Sequence, residues 1–349
     1  MPGHTRNLSM KPNSVKPSIA LLAVSVLLAL ASAPSYSQET DQFVPVLPKL
    51  KERMLPIDPA KGYLVKEVKP DVYVITEGAY QSMFVTTGQG VIVFDAPPSF
   101  SAHIRQAIAE TTKEPIRKLI YSHAHVDHIS GSEVFKDIPN LEIIAEKGVA
   151  DFLKEMKDPR RLLPTKTFVG HTEIKFGTAD IQLTGKKYHS NEGDLFVYLP
   201  NKKVMMAIDS MAPGYTPFLN FDLSTDMHEY LKVFDELLAF DFDVLITGHL
   251  TSLGTRQDVI DTKAYTMDVY DTVKRIHNSA DQNKMAGEIV GKFGADNKFL
   301  IFKQIVDPLV EQSYQEIKGR WLGKLGAVDI YGRSHCLTML IYVRWDDKL

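Results

Sequence analysis

The sequence predicts an α+β fold with a mostly helical C-terminal extension, and three observations carry that expectation. Short apolar runs broken by tight turns follow the N-terminal arm, strand and helix patterns then alternate, and after about Leu253 the pattern becomes mostly helical. With 349 residues, and about 150 per domain as a guide, the chain has room for one large domain with extensions or two modest ones.

The first residues stand apart. Arg6, Lys11 and Lys16 precede an unbroken apolar run from Ile19 to Ala31, the profile of an export signal. The run is shorter than the roughly 20 apolar residues that span a bilayer, so a lasting membrane anchor is not expected. Ala31-Ser32-Ala33 has the form of a cleavage site but is followed by Pro34, so cleavage after Ser37 is expected, which divides residues 1–37 from a mature chain beginning near Gln38. The expected location is the periplasm or the exterior.

Residues 38–66 are rich in Pro and Lys and weakly patterned, as an extended arm or lid would be. Residues 67–254 are expected to form the main domain. Val72 to Ile75, Ser82 to Thr87 and Val91 to Phe94 read as consecutive strands, with Gly88-Gln89-Gly90 as a turn. Ser101 to Thr112 has helical spacing behind a serine placed to cap it, and Ile116 to Tyr121 is an apolar strand. Glu133 to Phe135 and Val149 to Met156 suggest helical segments; Ile181 to Leu183, Leu195 to Leu199 and Val204 to Ile208 suggest strands. Helix Thr225 to Phe240 leads to strand Val244 to Thr247. In residues 255–349 helical patterns cover Arg256 to Asn278 and Phe299 to Leu325, and Leu337 to Val343 is apolar enough for burial. This tail shows no cluster of titratable groups and is expected to be structural cover.

A net charge of −3 offers no long-range attraction to nucleic acid, which is therefore not expected as a partner. Cys336 is the one cysteine, so no internal disulfide is expected and stability must come from core packing.

The chemistry concentrates where strand Ile116 to Tyr121 ends. In Tyr121-Ser-His-Ala-His-Val-Asp-His-Ile-Ser-Gly131, the residues His123, His125, Asp127 and His128 fall within six positions. At strand period His123, His125 and Asp127 project to one side, and a turn into a helix after Asp127 can swing His128 toward the same volume. Imidazole and carboxylate suit Zn²⁺ and related divalent ions, and four such groups this close would repel or stay protonated without a cation.

This motif resembles the metallo-β-lactamase superfamily signature His-x-His-x-Asp-His. The resemblance extends to His189, where the family has its third histidine, to Asp209, where many members have a carboxylate bridging two metals, and to His249, which follows Gly248 as the family's final histidine does. It covers roughly Val72 to Gly254. It implies a four-layer αβ/βα sandwich with the site at one edge of two sheets. It also implies two Zn²⁺ or other divalent ions, with His123, His125 and His189 on one, Asp127, His128 and His249 on the second, and Asp209 touching both. Asp95 matches a family aspartate that supports the ligand histidines by hydrogen bonding.

Two cations about 3.5–4 Å apart share a water, lower its pKa and polarise a substrate carbonyl, so no serine or cysteine nucleophile is needed. Asp127 can orient that nucleophile as well as ligate. The expected reaction is hydrolysis of an acyl bond: an ester, lactone, thioester or β-lactam. Ser210-Met211-Ala212-Pro213-Gly214-Tyr215 resembles a stretch of the third subclass of metallo-β-lactamases. A bridging Asp209 is more similar to hydroxyacylglutathione hydrolases and acyl-homoserine lactonases, which carry a tyrosine three positions later, where this chain has Ala212. An iron-dependent oxidoreductase of the same fold, of the flavodiiron or persulfide dioxygenase kind, is the alternative class. Tyr188 and Tyr215 are candidates for lining the substrate pocket. Asp194 is expected to pin a turn, and His103, His171 and His228 to be ordinary surface or core residues.

Overall fold

Strand residues that alternate between two apolar faces call for a layer on each side, and the computed structural model, which describes residues 43–347, supplies both layers. The expected signal segment lies outside the described residues. From the arm onward the elements are α1 (Pro48–Arg53), β1 (Leu64–Lys69), β2 (Val72–Thr76), β3 (Gln81–Thr86), β4 (Val91–Phe94), α2 (Ser101–Thr111), β5 (Ile116–Ile120), α3 (Val126–Ile129), a 3-10 turn Ser132–Phe135, β6 (Glu142–Glu146), α4 (Lys147–Met156), β7 (Lys166–Phe168), β8 (His171–Phe176), β9 (Ala179–Lys186), β10 (Asp194–Leu199) and β11 (Val204–Ala207). Then come α5 (Leu219–Leu223), α6 (Met227–Leu238), β12 (Val244–Ile246), α7 (Arg256–Ser279), α8 (Gln282–Phe293), α9 (Lys298–Trp321) and α10 (Val328–Trp345).

Strands β1 to β7 form one sheet in sequence order, antiparallel from β1 to β4 and parallel from β4 to β7; the second sheet runs β12-β11-β10-β9-β8, with only β11 and β12 parallel. Period-two side-chain projection sorts the apolar residues between layers. Met83, Val85, Ile92 and Phe94 meet Ile181, Leu183, Val197 and Met206 between the sheets, whereas Phe84, Val91 and Val93 face α2 and α4. On the far side Phe196, Met205 and Leu245 pack against α6, α7, α9 and α10. The result is the helix, sheet, sheet, helix sandwich.

Phe43–Leu349 is one compact unit, so no break separates the sandwich from the helices that follow Gly254. The arm ties the two together: the Arg53 guanidinium pairs with both oxygens of Asp258 at 2.7 and 2.8 Å, and Leu55 N–H donates to Thr251. The first strand starts at Leu64, inside the stretch expected to be arm, because Leu64 and Val65 pair with Thr76 and Ile75. Ser101 is the first residue of α2 rather than its cap; Phe100 holds the cap position without a side-chain hydrogen bond.

Parallel neighbours end on the same side. β4 and β5 in one sheet and β11 and β12 in the other end where Asp95, His123, Asp209 and His249 follow, so the strand ends of both sheets deliver functional groups to one edge.

Candidate metal centre

The histidine motif does not stand on a strand, contrary to the alternation expected for it. Tyr121 N–H still donates to Ile144 across the sheet, but Ser122 N–H is taken by the Asp95 carboxylate at 2.7 Å, so the ladder stops there. His123 and His125 lie on the loop that follows, and Asp127 and His128 lie in the single turn of α3. Convergence therefore comes from a loop and a helical turn, and Asp127 points with α3 rather than with the strand.

Asp95 also differs from its expected role. It holds the chain at Ser122, whose hydroxyl sits 2.9 Å from His123 Nδ1, so its support reaches the histidine through one intervening residue. Burial pushes its carboxyl up to about 6, and its left-handed φ of 55° marks a sharp departure from β4.

His189 sits on the connection between β9 and β10. Asp194 pins that turn as expected, accepting from His189 N–H at 2.7 Å and from Ser190 N–H at 3.1 Å. Burial pushes Asp194 up to about 6. Asp209 follows β11, with its N–H bonded to Thr247 O at 3.0 Å and a left-handed φ of 57°. The loop carrying His249 is clamped from the start of β3: the Gln81 side-chain amide donates to the carbonyls of His249, Leu250 and Ser252 at 2.8, 3.1 and 3.2 Å. Gly248 is required there. Its φ is +91°, and a Cβ would lie 2.7 Å from Ile208 Cγ2 and 3.1 Å from His128 Cε1.

The ligand atoms fall in two groups, His123, His125, His189 and Asp209 in one and Asp127, His128 and His249 in the other, each with all its atoms within 4.8 Å of one another. Asp209 joins them. Its Oδ2 is 3.5 Å from His123 Nε2, 3.3 Å from His189 Nε2 and 3.2 Å from His128 Nε2, while its Oδ1 is 3.0 Å from His249 Nε2. His128 Nε2 and His249 Nε2 face each other at 3.3 Å, and His189 Nε2 lies 2.9 Å from His125 Nδ1. Donors bonded to one tetrahedral ion at about 2.0–2.1 Å are separated by about 3.3 Å, so this spacing fits divalent metal. His123 Nε2 is buried and has no hydrogen-bond partner among the described residues, which a neutral imidazole aimed at a cation explains.

The protein groups by themselves are electrostatically divided. Burial, then His128, hold the His123 imidazole well below its ordinary value. Burial works against protonation of His128 too, but the carboxylates of Asp209, Asp127 and Asp95 overcome it and raise the ring to about 9. Asp209 stays ionised despite burial because His128, His249 and His189 surround it. A charge arranged so tightly around one carboxylate is the pattern that a cation relieves.

Several neighbours escaped the sequence. The Tyr80 ring lies 4.7 Å from the His249 ring and 5.7 Å from that of His128, and its backbone bridges His249. Tyr188 and Tyr215, the tyrosines expected at the pocket, point elsewhere. Tyr188 is buried with its hydroxyl donating to Ile208 O at 2.6 Å, and Tyr215 packs against Gly326 in the link between α9 and α10. His103 stacks on Tyr63, and His171 and His228 stand away from the ligands, as expected.

The profile described as metallo-beta-lactamase superfamily matches residues 75–249, a span that begins in β2 and ends on the last ligand. A curated relative, the 2,4-dinitroanisole O-demethylase subunit alpha of Nocardioides sp. (strain JS1661), is 24% identical over 247 residues, covering 66% of this chain and 74% of that protein. Among solved structures, a metallo-beta-lactamase from Pontibacter korlensis aligns with a TM-score of 0.50 at 15% identity, over 58% of this chain and 97% of its own. The metallo-beta-lactamase IND-7 aligns with a TM-score of 0.50 at 14% identity, over 60% of this chain and all of its own. Such likeness concerns the fold. Both structures are spanned nearly whole by little more than half of this chain.

Proposed function

The chain belongs to the metallo-beta-lactamase superfamily and carries a metal-dependent hydrolase centre, and from that premise we propose that it is a dinuclear zinc hydrolase cleaving an ester, lactone or β-lactam. The observation that carries the reading is Asp209, whose two oxygens reach histidines of both ligand groups. When bound, a pair of divalent ions lowers the pKa of water and polarises the bond to be cleaved. His123, His125 and His189 hold one side and Asp127, His128 and His249 the other. Asp127 and His249 are the candidate ligands most open to solvent, at 38% and 39% exposure, so substrate approaches over them. Asp127 is placed to orient the attacking water and to carry its proton toward the leaving group.

Exposed apolar side chains stand beside ligands in the chain: Val126 between His125 and Asp127, and Leu219 and Leu223 on α5, which touches His189. With Tyr80 they favour an apolar acyl or aryl group in the substrate. A second reading is cleavage of an aryl alkyl ether, favoured by the O-demethylase relative, since activated water can also attack an electron-poor ring carbon.

We further propose that the protein is exported, with residues 1–37 removed, and that it acts on small molecules rather than nucleic acid. The cationic residues before the Ile19 to Ala31 run support export. Among the described residues no helix is long and apolar enough to cross a membrane.

The test is metal analysis of the purified mature chain together with assays on nitrocefin, an acyl-homoserine lactone series, a lactoylglutathione thioester and 2,4-dinitroanisole. Two equivalents of zinc with turnover of one acyl substrate are expected. Redox-active iron with oxygen consumption would sink hydrolysis, and turnover of the ether alone would select the second reading.

A further inference from the structure

The carbonyl oxygen of Asp222 lies 2.6 Å from His189 Nδ1. A carbonyl only accepts, so Nδ1 carries the proton and Nε2 is left as the lone-pair nitrogen facing Asp209 and His125. The element presenting that carbonyl is α5, a single turn of the wrong hand for L-residues: Asn220, Phe221, Asp222 and Leu223 have φ of 53, 57, 55 and 56°. None of the four is glycine, so each is disfavoured where it stands, and something outside the turn must hold it.

The restraints are identifiable. The Asp222 carboxylate ties the turn to itself and to α6, accepting from Phe218 N–H at 2.8 Å and from the Tyr230 hydroxyl at 2.7 Å. The rest come from the C-terminal helices. The His335 ring of α10 stacks on Phe221 with centroids 4.5 Å apart, and its Nε2–H donates to the Phe218 carbonyl at 3.0 Å. His335 Nδ1 then accepts from the Tyr265 hydroxyl of α7 at 2.8 Å, and Ser334 accepts from Asn220 N–H at 3.3 Å. His335 is wholly buried, so both ring nitrogens are satisfied in one tautomer only.

We propose that the C-terminal helical extension is a working part of the metal centre: His335, braced by Tyr265, holds the left-handed turn whose Asp222 carbonyl sets the tautomer and aim of His189. His335 is thus a positioning residue, acting through Asp222 and His189. The proposal rests on the reading of His189 as a metal ligand. It also assigns a task to a region whose residues contain no ligand of their own.

The experiment uses the full mature chain and reads zinc affinity for each of two ions by competition with a chromophoric chelator, the visible spectrum of the cobalt-substituted protein, and the nitrogen NMR signature of His189 in zinc-depleted protein. His335→Phe keeps the ring on Phe221 and removes both polar contacts. Affinity for one ion is expected to fall about 10–100-fold, with a changed cobalt spectrum, while the other ion is held as before. His335→Gln, which can still donate to Phe218 O, is expected to recover most of the loss. Trp345→Ala, an exposed position on the same helix, is expected to change nothing. Should His335→Phe fail to fold, Tyr265→Phe removes only the bracing hydroxyl and is expected to lower the same affinity about threefold. Unchanged affinities with an intact Nδ1–H signature would overturn the proposal, as would equal weakening of both ions by His335→Phe and Trp345→Ala. A wild-type chain that binds fewer than two ions refutes the dinuclear reading instead; the His189 tautomer in His335→Phe then decides the positioning role separately.

Discussion

The two halves of the metal centre are built differently. In the first half His123, His189 and Asp209 are almost fully enclosed, with side-chain exposures of 1%, 4% and 7%, and His125 is partly buried, whereas in the other half only His128 is buried and Asp127 and His249 stand open. The enclosed half is fixed by polar contacts that are themselves buried: Ser122 beside His123, Asp194 beneath the His189 backbone, and the Asp222 carbonyl at Nδ1. The open half is fixed from the backbone, by the α3 turn and by Gln81 gripping the His249 loop. Rigid donors on one side and reachable donors on the other suit a site that must retain metal yet admit substrate.

The comparison can be broken most severely at its shared member. Asp209→Ala removes the carboxylate that both halves use, and metal content should fall sharply, with activity reduced by more than about 100-fold while circular dichroism stays near wild type. Retention of both ions would show that the halves do not depend on a common ligand.

The enclosed half is sharpened by acid. Burial lowers the His335 imidazole to about 4, against an ordinary 6.5. Between those values the unfolded chain binds a proton that the folded chain refuses, so stability is lost as pH falls from 6.5 toward 4, by about 3 kcal/mol when complete. The buried carboxyls of Asp95, Asp194 and Asp222, each raised to about 6 by burial, act in the opposite sense. The measurement is therefore the difference between wild type and His335→Gln in urea unfolding across that range. A flat difference would remove His335 from the account of acid sensitivity.

The open half is sharpened at Gly248. An alanine there must adopt φ near +91° and displace Ile208 or His128, so Gly248→Ala should cost about 1–3 kcal/mol and release the ion of the open half first. Loss of both ions together would mean that the halves are not separable.

Much of the centre was readable from the chain because its ligands carry unusual side chains in unusual density. Four of them lie within six positions, and the others announce themselves by order and flanking residues. The strands facing both layers were legible for a related reason: Met83, Phe84 and Val85 are all apolar because each side of the sheet is covered. Edge elements were not. β1, with two lysines and a glutamate among its six residues, and β8, exposed at alternate positions, have too little burial to leave an apolar trace. α8 has no fully buried residue, so its segment leaves little apolar trace between the helical patterns on either side. The alternation expected through Asp127 failed because one carboxylate, Asp95, ends the strand early, and nothing local to the motif reports that contact.

By itself, the sequence determined the family of the fold and the residue types that crowd its edge, since these depend on residue type and short-range order. Tertiary structure alone decided which groups aim those ligands. The Asp222 contact to His189 is a main-chain carbonyl, which every residue possesses and no side chain advertises. The hold of His335 on Phe218 spans 117 residues and acts through another carbonyl. A motif can name the atoms that meet a metal; their direction is settled by buried hydrogen bonds between segments that only folding brings together.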